Sequence, residues 1–362
     1  MNRSFTLGTF WGIPVKLHWS FGLMILFVAY TSITNNLDKI QTTWFSLYVI
    51  ALFLCVVLHE FGHALAASKF GVKTQDIILS PVGGVARLES MPEKPSHELI
   101  IALAGPFVNV IIFILTFIGL SFLGTESFLP DVEQGFYIND YKDFLKYILI
   151  MNGALFMFNL IPAFPMDGGR VLRALLAMRL GRYRATRIAA FIGRVIAIGF
   201  IVFGLYNEMM ITSLIGVFIF TMAGMEANLV NMTEAFSNKT ASEIYRSHFS
   251  KLHLSEPYST PIELFSRNVE SNFLVYDSLG YISGSIPSQF IIQRIREGKE
   301  DIAVGQFMSA AFSVVPIDMP LKSLFDLMNQ KGFAIVAVED KGEIVGVIDR
   351  DSFKRFLEIH QK

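Results

Sequence analysis

The sequence has little cysteine and little charge. Cys55 is the only cysteine among 362 residues, so no disulfide can form within the chain. Charged residues make up 17% of the chain, against about 25% in an average soluble protein. The 30 basic and 31 acidic residues leave a formal net charge of −1. These shortages argue against an ordinary soluble enzyme, a disordered chain and a nucleic-acid binder.

The chain is instead rich in apolar residues, and they are unevenly distributed. Hydrophobic residues make up 52% of the sequence. Residues 1–238 carry 31 of the 61 charged side chains, about 13% of that segment, whereas residues 239–362 carry the other 30, about 24%. The composition therefore predicts a membrane domain over residues 1–230 and a water-soluble domain over residues 240–362.

Six segments are candidate membrane spans, since a spanning helix needs about 20 mostly apolar residues. They are residues 17–34, 44–68, 99–123, 144–164, 185–206 and 209–228. Lysine and arginine are concentrated in the connecting segments 69–98 and 168–187, whereas 35–43 and the acidic segment 124–142 carry one each. Because basic residues favour the cytoplasmic side, we expect six crossings with both termini in the cytoplasm.

The second candidate span ends in HEFGH, residues 59–63, which places ionisable side chains in an apolar helix. Such residues are costly at membrane depth, so each is a functional candidate. His59 and His63 are four residues apart on one helix face, where two imidazoles can bind one metal ion. Glu60 is next to the first imidazole and could take a proton from the attacking water. The alternative is a chance match, which the apolar surroundings disfavour.

A catalytic zinc ion usually has three protein ligands, so a third one is needed. Asp167 is the candidate, because it follows two helix-breaking residues, Pro162 and Pro165, and precedes two glycines. Irregular backbone at membrane depth is tolerated only inside protein or against a wet cavity. The alternative is a turn at the membrane surface, where Asp-Gly pairs are common.

Two asparagines are further polar candidates in the apolar segments. Asn159, eight residues before Asp167, could hold the substrate backbone or stabilise an oxyanion. Asn109, in the third span, has two interpretations. It could belong to the functional site, or it could only form a hydrogen bond with a neighbouring helix.

These motifs together resemble the site-2 protease family of intramembrane zinc metalloproteases. The shared features, all within residues 1–230, are HEFGH in a membrane helix, Gly105-Pro106-x-x-Asn109, and Asn159-x-x-Pro162-x-x-Pro165-x-Asp167-Gly168-Gly169. The resemblance implies that one zinc ion is bound by His59, His63 and Asp167. It also implies that Glu60 is the catalytic base, and Asn159 falls on the asparagine of the family's second motif.

The segment 75–89 is predicted to form two short strands around Pro81–Gly84. A helical substrate has to unwind before cleavage, and an edge of this hairpin could pair with the extended form. Site-2 proteases are similar here, with a Gly-Gly-containing strand near the active site. The alternative is a plain re-entrant or surface loop.

From about residue 240, short β-like runs alternate with amphipathic helices. The order of strands and helices over residues 320–358 resembles a CBS domain, and a weaker copy occupies residues 260–297. The resemblance implies a tandem CBS pair of α/β fold, with copies at about 240–300 and 301–362.

CBS pairs often bind adenine nucleotides, with Ser or Thr just after the last strand and Asp three residues later. This chain has Asp349 and Ser352 at these positions in the second copy, and Pro287 and Phe290 in the first. Both copies depart from the pattern. An adenine-nucleotide sensor therefore stays open beside a structural or dimerising module, which would allow a homodimer through the pair.

The sequence thus predicts a polytopic α-helical membrane protein of the site-2 protease type, with about six transmembrane helices and a soluble cytosolic CBS pair. We expect a zinc endopeptidase of a prokaryotic cell membrane that cleaves transmembrane segments of regulatory proteins. Its partners would be a transmembrane protein substrate and the lipid bilayer, without nucleic acid.

Two other classes of protein fit the sequence less well. A catalytically silent membrane scaffold is disfavoured because all four active-site residues are present. A CBS-regulated transporter would need ionisable groups distributed along a path across the bilayer, whereas those of this chain converge on one site.

Overall fold

The computed structural model describes residues 4–81, 83–89, 92, 94–125, 127–130, 137–267, 270–298 and 302–360. The chain divides into two compact units, Met1–Ala227 and Asn228–Lys362. Residues 126 and 131–136, which belong to the acidic connecting segment expected from the sequence, lie outside the described residues.

Helices dominate the first unit. Those that begin in it are α1 (Gly22–Thr34), α2 (Lys39–Lys69), α3 (Pro95–Phe122), α4 (Tyr141–Asn159), α5 (Asp167–Leu180), α6 (Arg182–Tyr206) and α7 (Met210–Ala235). Among the described residues, α2, α3, α6 and α7 are long and apolar enough to cross a membrane. Helix α4 has 19 residues, and α1 belongs to a shorter apolar stretch, Trp19–Thr34. Each of the six predicted spans therefore overlaps a helix. The bounds of two were wrong, because residues 17–21 precede α1 and residues 160–164 follow the end of α4. The number of crossings stays a prediction.

Helices α2 and α3 approach each other closely through small residues. A Cβ atom on Gly62 would lie 2.6 Å from the backbone oxygen of Ala104, so only glycine allows this contact. Helix α2 begins at a capping box in which Asp38 and Gln41 each accept a hydrogen bond from the other's backbone N–H. Its 31 residues span about 46 Å, which is enough to carry HEFGH well inside the membrane domain.

A four-stranded sheet packs beside these helices. Its strands are β1 (Ser4–Phe10), β2 (Ile13–His18), β3 (Thr74–Ser80) and β4 (Gly83–Leu88), in the spatial order β1-β2-β3-β4. Strands β1 and β2 form one antiparallel hairpin, β3 and β4 form another, and β2 runs parallel to β3. The hairpin predicted over residues 75–89 is confirmed, whereas the N-terminal hairpin was not predicted.

Apolar and ionic contacts hold this sheet in place. An apolar cluster joins it to α2 through Ile13, Val15, Ile77, Leu79, Phe61 and Ala64. The buried carboxylate of Asp76 accepts hydrogen bonds from Arg87 at 2.6 Å and from Lys16 at 2.7 Å, which ties β2, β3 and β4 together. The Arg87 guanidinium and the Lys16 ammonium lower the pKa of Asp76 to about 2. The sheet is thereby fixed against the helix that carries HEFGH.

The chain is unwound between α4 and α5, as the two prolines predict. Helix α4 ends at Asn159 and α5 begins at Asp167, so residues 160–166 are not helical. A Cβ atom on Gly168 would lie only 2.3 Å from the carbonyl oxygen of Ile161. The buried side chains of the segment include Ala163, Phe164 and Met166. The irregular backbone is therefore packed inside protein, as a membrane environment requires.

The second unit contains two copies of one β-α-β-β-α arrangement. The first copy is β5 (Lys251–His253), α8 (Ser259–Ser266), β6 (Phe273–Tyr276), β7 (Ile282–Ile286) and α9 (Ser288–Glu297). The second is β8 (Val314–Pro316), α10 (Leu321–Lys331), β9 (Ile335–Asp340), β10 (Glu343–Asp349) and α11 (Arg350–His360). In both sheets the first strand is parallel to the second, and the third is antiparallel to it. The expected order is therefore present in both copies.

The two copies are interleaved. Arg246, which precedes the first copy, exchanges backbone hydrogen bonds of 2.9 and 3.0 Å with Val347 in the second copy. Ser309, which precedes the second copy, exchanges bonds of 2.8 and 2.9 Å with Ser285 in the first. A shared apolar cluster comprises Leu274, Tyr276, Ile335, Ala337 and Val347. The copies therefore pack as one pair.

Candidate metal centre

Three predicted ligands, His59, His63 and Asp167, converge on one point. Nε2 of His63 lies 3.1 Å from Nε2 of His59 and 3.1 Å from Oδ2 of Asp167. Nε2 of His59 lies 3.2 Å from the same oxygen. Ligand atoms at about 2.0–2.1 Å from a tetrahedral zinc ion are roughly 3.3 Å apart. The three donor atoms therefore fit one zinc ion.

Two helices bring these donors together. Helix α2 supplies both imidazoles from one face, and the first residue of α5 supplies the carboxylate. All three residues are buried. A carboxylate at the start of a helix also lies at the positive end of its dipole, which stabilises the charge. The local order of helix, unwound segment and helix thus positions Asp167 opposite the two imidazoles.

Hydrogen bonds fix the orientation of both imidazoles. Nδ1 of His59 lies 3.0 Å from Oδ1 of Asn109, and Nδ1 of His63 lies 2.7 Å from the carbonyl oxygen of Ile101. Both oxygens can only accept, so each Nδ1–H donates and each Nε2 directs a lone pair towards the centre. Asn109, for which the sequence left two interpretations open, therefore contacts a predicted metal ligand.

Gly105 allows α3 to pass directly over the imidazoles. A Cβ atom on this residue would lie 2.2 Å from Nε2 of His63 and 2.8 Å from Nε2 of His59. No side chain fits between the helix and the centre. The sequence singled out Gly105 only as part of a motif, because its steric role depends on a contact between two helices.

Glu60 lies on α2 beside His59 and is contacted by the sheet. Its Oε2 accepts a hydrogen bond of 2.9 Å from the backbone N–H of Ala86 on β4. A Cβ atom on Gly84 would lie 2.8 Å from Cγ of Glu60. Strand β4 is therefore packed against the predicted base. The sequence resemblance placed a Gly-Gly-containing strand near the site, but it did not indicate these contacts with Glu60.

Asn159 is not one of the three converging groups. It is the last residue of α4 and is half-buried, and the described residues provide no hydrogen-bond partner for its side chain. A second asparagine, Asn152, was not singled out by the sequence. It is buried, and its side chain donates a hydrogen bond of 2.9 Å to the carbonyl oxygen of Ile148. The role predicted for Asn159 stays a prediction.

A buried ionic cluster anchors α5. Arg173, six residues beyond Asp167, is only 1% exposed. Its Nε donates a hydrogen bond of 2.7 Å to the carboxylate of Glu98 on α3. The same guanidinium pairs with Glu226 of α7. The cluster thereby joins the helix that begins with Asp167 to two others. The sequence could not indicate it, because the partners are far apart along the chain.

The nucleotide pattern of the CBS pair is replaced by internal contacts. Asp349 is buried and accepts hydrogen bonds from the backbone N–H of Ser352 at 2.9 Å and from its hydroxyl at 3.0 Å. Its other oxygen accepts from Arg246 at 3.0 Å. The carboxylate thus caps α11 and is fully engaged.

The fold and the buried donor set define a membrane-embedded zinc metallopeptidase with an attached CBS pair. The family model of peptidase family M50 matches residues 47–203, and the model of the CBS domain matches residues 304–359. The chain belongs to the site-2 protease family of zinc metallopeptidases, peptidase family M50.

Two relatives found by sequence agree with this assignment. A zinc metalloprotease of Methanocaldococcus jannaschii is 40% identical over 245 residues, which are 67% of this chain and 66% of that relative. A Synechocystis protein whose name gives the same class is 28% identical and is aligned over 99% of this chain and 96% of its own length. The solved site-2 protease of M. jannaschii is 38% identical, covers 62% of this chain and 95% of that chain, and gives a TM-score of 0.44.

Proposed function

We propose that this chain is an intramembrane endopeptidase that hydrolyses peptide bonds in or near transmembrane segments of membrane-bound regulatory proteins. The supporting observation is the buried triangle of His59 Nε2, His63 Nε2 and Asp167 Oδ2, with edges of 3.1–3.2 Å. We assign these residues as the ligands of one zinc ion per chain. Three protein ligands leave one position for water or substrate, which is typical of catalytic zinc.

The chain's own residues account for the proton transfers. Zinc at this site supplies a Lewis acid that polarises a peptide carbonyl and acidifies water. Glu60 accepts a proton from the attacking water and passes it to the nitrogen of the leaving amine. Asn159 holds the substrate backbone or stabilises the oxyanion. Asn109 keeps the imidazole of His59 in the tautomer that directs its lone pair to the centre.

An exposed strand edge offers a place for the unwound substrate. A membrane helix has its backbone groups bonded internally and has to open before it is cut. Strand β4 is one of the two edge strands of the described sheet, and it contacts Glu60. We propose that the extended substrate lies along this edge.

We further propose six crossings in a prokaryotic cell membrane, with both termini in the cytoplasm. The basic segments 69–98 and 168–187 support this orientation. Segment 69–98 follows the end of α2 that carries His59 and His63, and segment 168–187 begins directly after Asp167. The metal centre would therefore open towards the cytoplasm.

The CBS pair is proposed to assemble or regulate the protease, with a homodimer through the pair as one form of assembly. The engaged Asp349 carboxylate favours a structural role over an adenine-nucleotide sensor. A thermal-shift measurement with ATP and AMP separates the two. No shift at millimolar nucleotide supports the structural role, and a concentration-dependent shift supports the sensor.

Metal analysis tests the ligand set. We expect His59→Ala and Asp167→Ala to lose most bound zinc, because each removes one of three donors. The control is His97→Ala. The ring of His97 stacks on that of Phe70, with 4.1 Å between the ring centroids, and His97 is not part of the triangle. Full zinc content in either ligand variant would contradict the assignment. Chelation is expected to stop cleavage of a single-span substrate in vesicles, and added zinc to restore it.

A further inference from the structure

Strand β4 contacts Glu60 at two points. The carboxylate of Glu60 accepts a hydrogen bond of 2.9 Å from the Ala86 N–H through Oε2. The methylene stem of Glu60 lies where a side chain at position 84 would be, since a Cβ atom on Gly84 would be 2.8 Å from Cγ of Glu60. Gly84 and Ala86 are two residues apart, so both contacts come from one stretch of strand.

The Ala86 N–H is not used by the sheet ladder. Ala86 lies opposite Ile77 in the antiparallel pairing of β3 with β4. Groups in such a pair are directed alternately towards the partner strand and away from it. This N–H is directed away from β3, to the outer edge of the sheet, where a backbone donor is normally left to solvent or to an added strand. Here its partner is the carboxylate of Glu60.

We propose that the Ala86 backbone amide is a positioning group for Glu60, which holds Oε2 and leaves Oε1 free to receive the proton of the attacking water. The proposal rests on the proposed function, in which Glu60 is the base. Among the described residues, Oε1 has no hydrogen-bond donor. A hydrogen bond from a backbone N–H to a carboxylate is charge-assisted and therefore stronger than a neutral one. It fixes a side chain that would otherwise keep its rotamer freedom.

This use of the Ala86 N–H affects substrate docking on the same edge. A donor already bound to Glu60 is not available to an extended substrate. Pairing of the substrate along β4 is therefore interrupted at Ala86, next to the base. The orientation of the base and the docking of the substrate thus depend on one strand, but on different groups of it.

Replacing Ala86 by proline tests the proposal, because proline removes an N–H that β3 does not use. We expect Ala86→Pro to lower kcat about 100-fold, the usual cost of a misplaced catalytic group. The zinc content, the visible spectrum of the cobalt-substituted protein and KM should stay at wild-type values. Ala86→Gly keeps the N–H and is the matched control. A wild-type kcat in Ala86→Pro, or a raised KM with an unchanged kcat, would overturn the proposal.

Gly84→Ala tests the same positioning without proline. The added methyl group collides with the stem of Glu60, and the same loss of kcat with retained zinc is expected. Gly119→Ala on α3 is the control, since a Cβ atom there meets nothing within 4 Å. Loss of zinc together with kcat in both β4 variants would show that the strand only supports the fold, and would overturn the proposal. Failure of the proposed function is distinguishable, because the wild-type chain would then not cleave, or Glu60→Gln would cleave as well as wild type.

Discussion

Replacing Gly105 by alanine is expected to weaken zinc binding strongly without unfolding helix α3. The new methyl carbon would lie 2.2 Å from Nε2 of His63 and 2.8 Å from Nε2 of His59. Ordinary contacts begin at 3.4 Å, so the overlap with His63 is about 1.2 Å (3.4 − 2.2). Neither imidazole can turn aside without breaking the hydrogen bond at its Nδ1.

The expected loss of affinity follows from this overlap. Metal–ligand distances have to be kept within about 0.2 Å, so a displacement several times larger removes at least one donor from the centre. We therefore expect the zinc affinity of Gly105→Ala to fall by at least about 100-fold, the upper end of what changes around a ligand set cause. Alanine is a better helix former than glycine by about 1 kcal/mol, so α3 itself should not be weakened.

Zinc content per chain and competition with a chromophoric chelator would measure this loss. Gly119→Ala provides the control on the same helix, because its added methyl group meets no neighbour. It should bind zinc like the wild type. Wild-type affinity in Gly105→Ala would refute the placement of α3 directly over the two imidazoles.

Three further changes test other contacts. Asn109→Ala removes the acceptor of the His59 N–H, and its zinc affinity should fall about 10–100-fold in the same titration; an unchanged affinity would contradict this. Arg173→Gln leaves the buried Glu98 carboxylate with only Arg182, whose Nη2 lies 3.8 Å from Oε2, and should cost about 3–5 kcal/mol of unfolding free energy. Adding Glu98→Gln should restore part of the melting temperature, and no recovery would count against the pair. Asp76 has its pKa lowered from 3.8 to about 2, and its arginine partner is partly exposed. Its contribution of roughly 1–2 kcal/mol is complete above about pH 4 and is lost as the pH falls through 2. The difference in melting temperature between wild type and Asp76→Asn should therefore vanish at low pH, and a constant difference would refute it.

The meeting of His59, His63 and Asp167 could be predicted from the sequence for a physical reason. Charge is scarce in the first 238 residues, so each ionisable residue in an apolar helix is conspicuous. Helical periodicity then places the two histidines on one face. The prolines before Asp167 mark the unwound backbone that brings the carboxylate to the start of α5.

Other parts of the fold gave weaker signals. The N-terminal hairpin turns at Trp11 and Gly12, both with positive φ, as a two-residue type I′ turn requires. Tryptophan is not a usual residue in such a turn, so the hairpin was missed, although the alternating buried residues Ile13 and Val15 of β2 were a usable sign. Strand and helix order in the second unit was easier, because its amphipathic helices follow short apolar strands.

Contacts between distant elements could not be predicted. The steric role of Gly105 depends on how closely α3 passes α2, and the pairing of Arg173 with Glu98 joins residues 75 positions apart. The donor to Glu60 is a backbone N–H, which every non-proline residue has. Residue type alone does not indicate any of these contacts, so they are found only in the packed arrangement of the helices and the sheet.

Glu60→Gln, measured for zinc content and for cleavage in the same reconstituted sample, tests the proposed chemistry most directly. Glutamine keeps the size of the side chain and its hydrogen bond from Ala86 but does not accept the proton of water. We expect the variant to bind as much zinc as the wild type and to cleave a single-span substrate at least about 100-fold more slowly. Cleavage at the wild-type rate would contradict the assignment of Glu60 as the base, and with it the proposed mechanism.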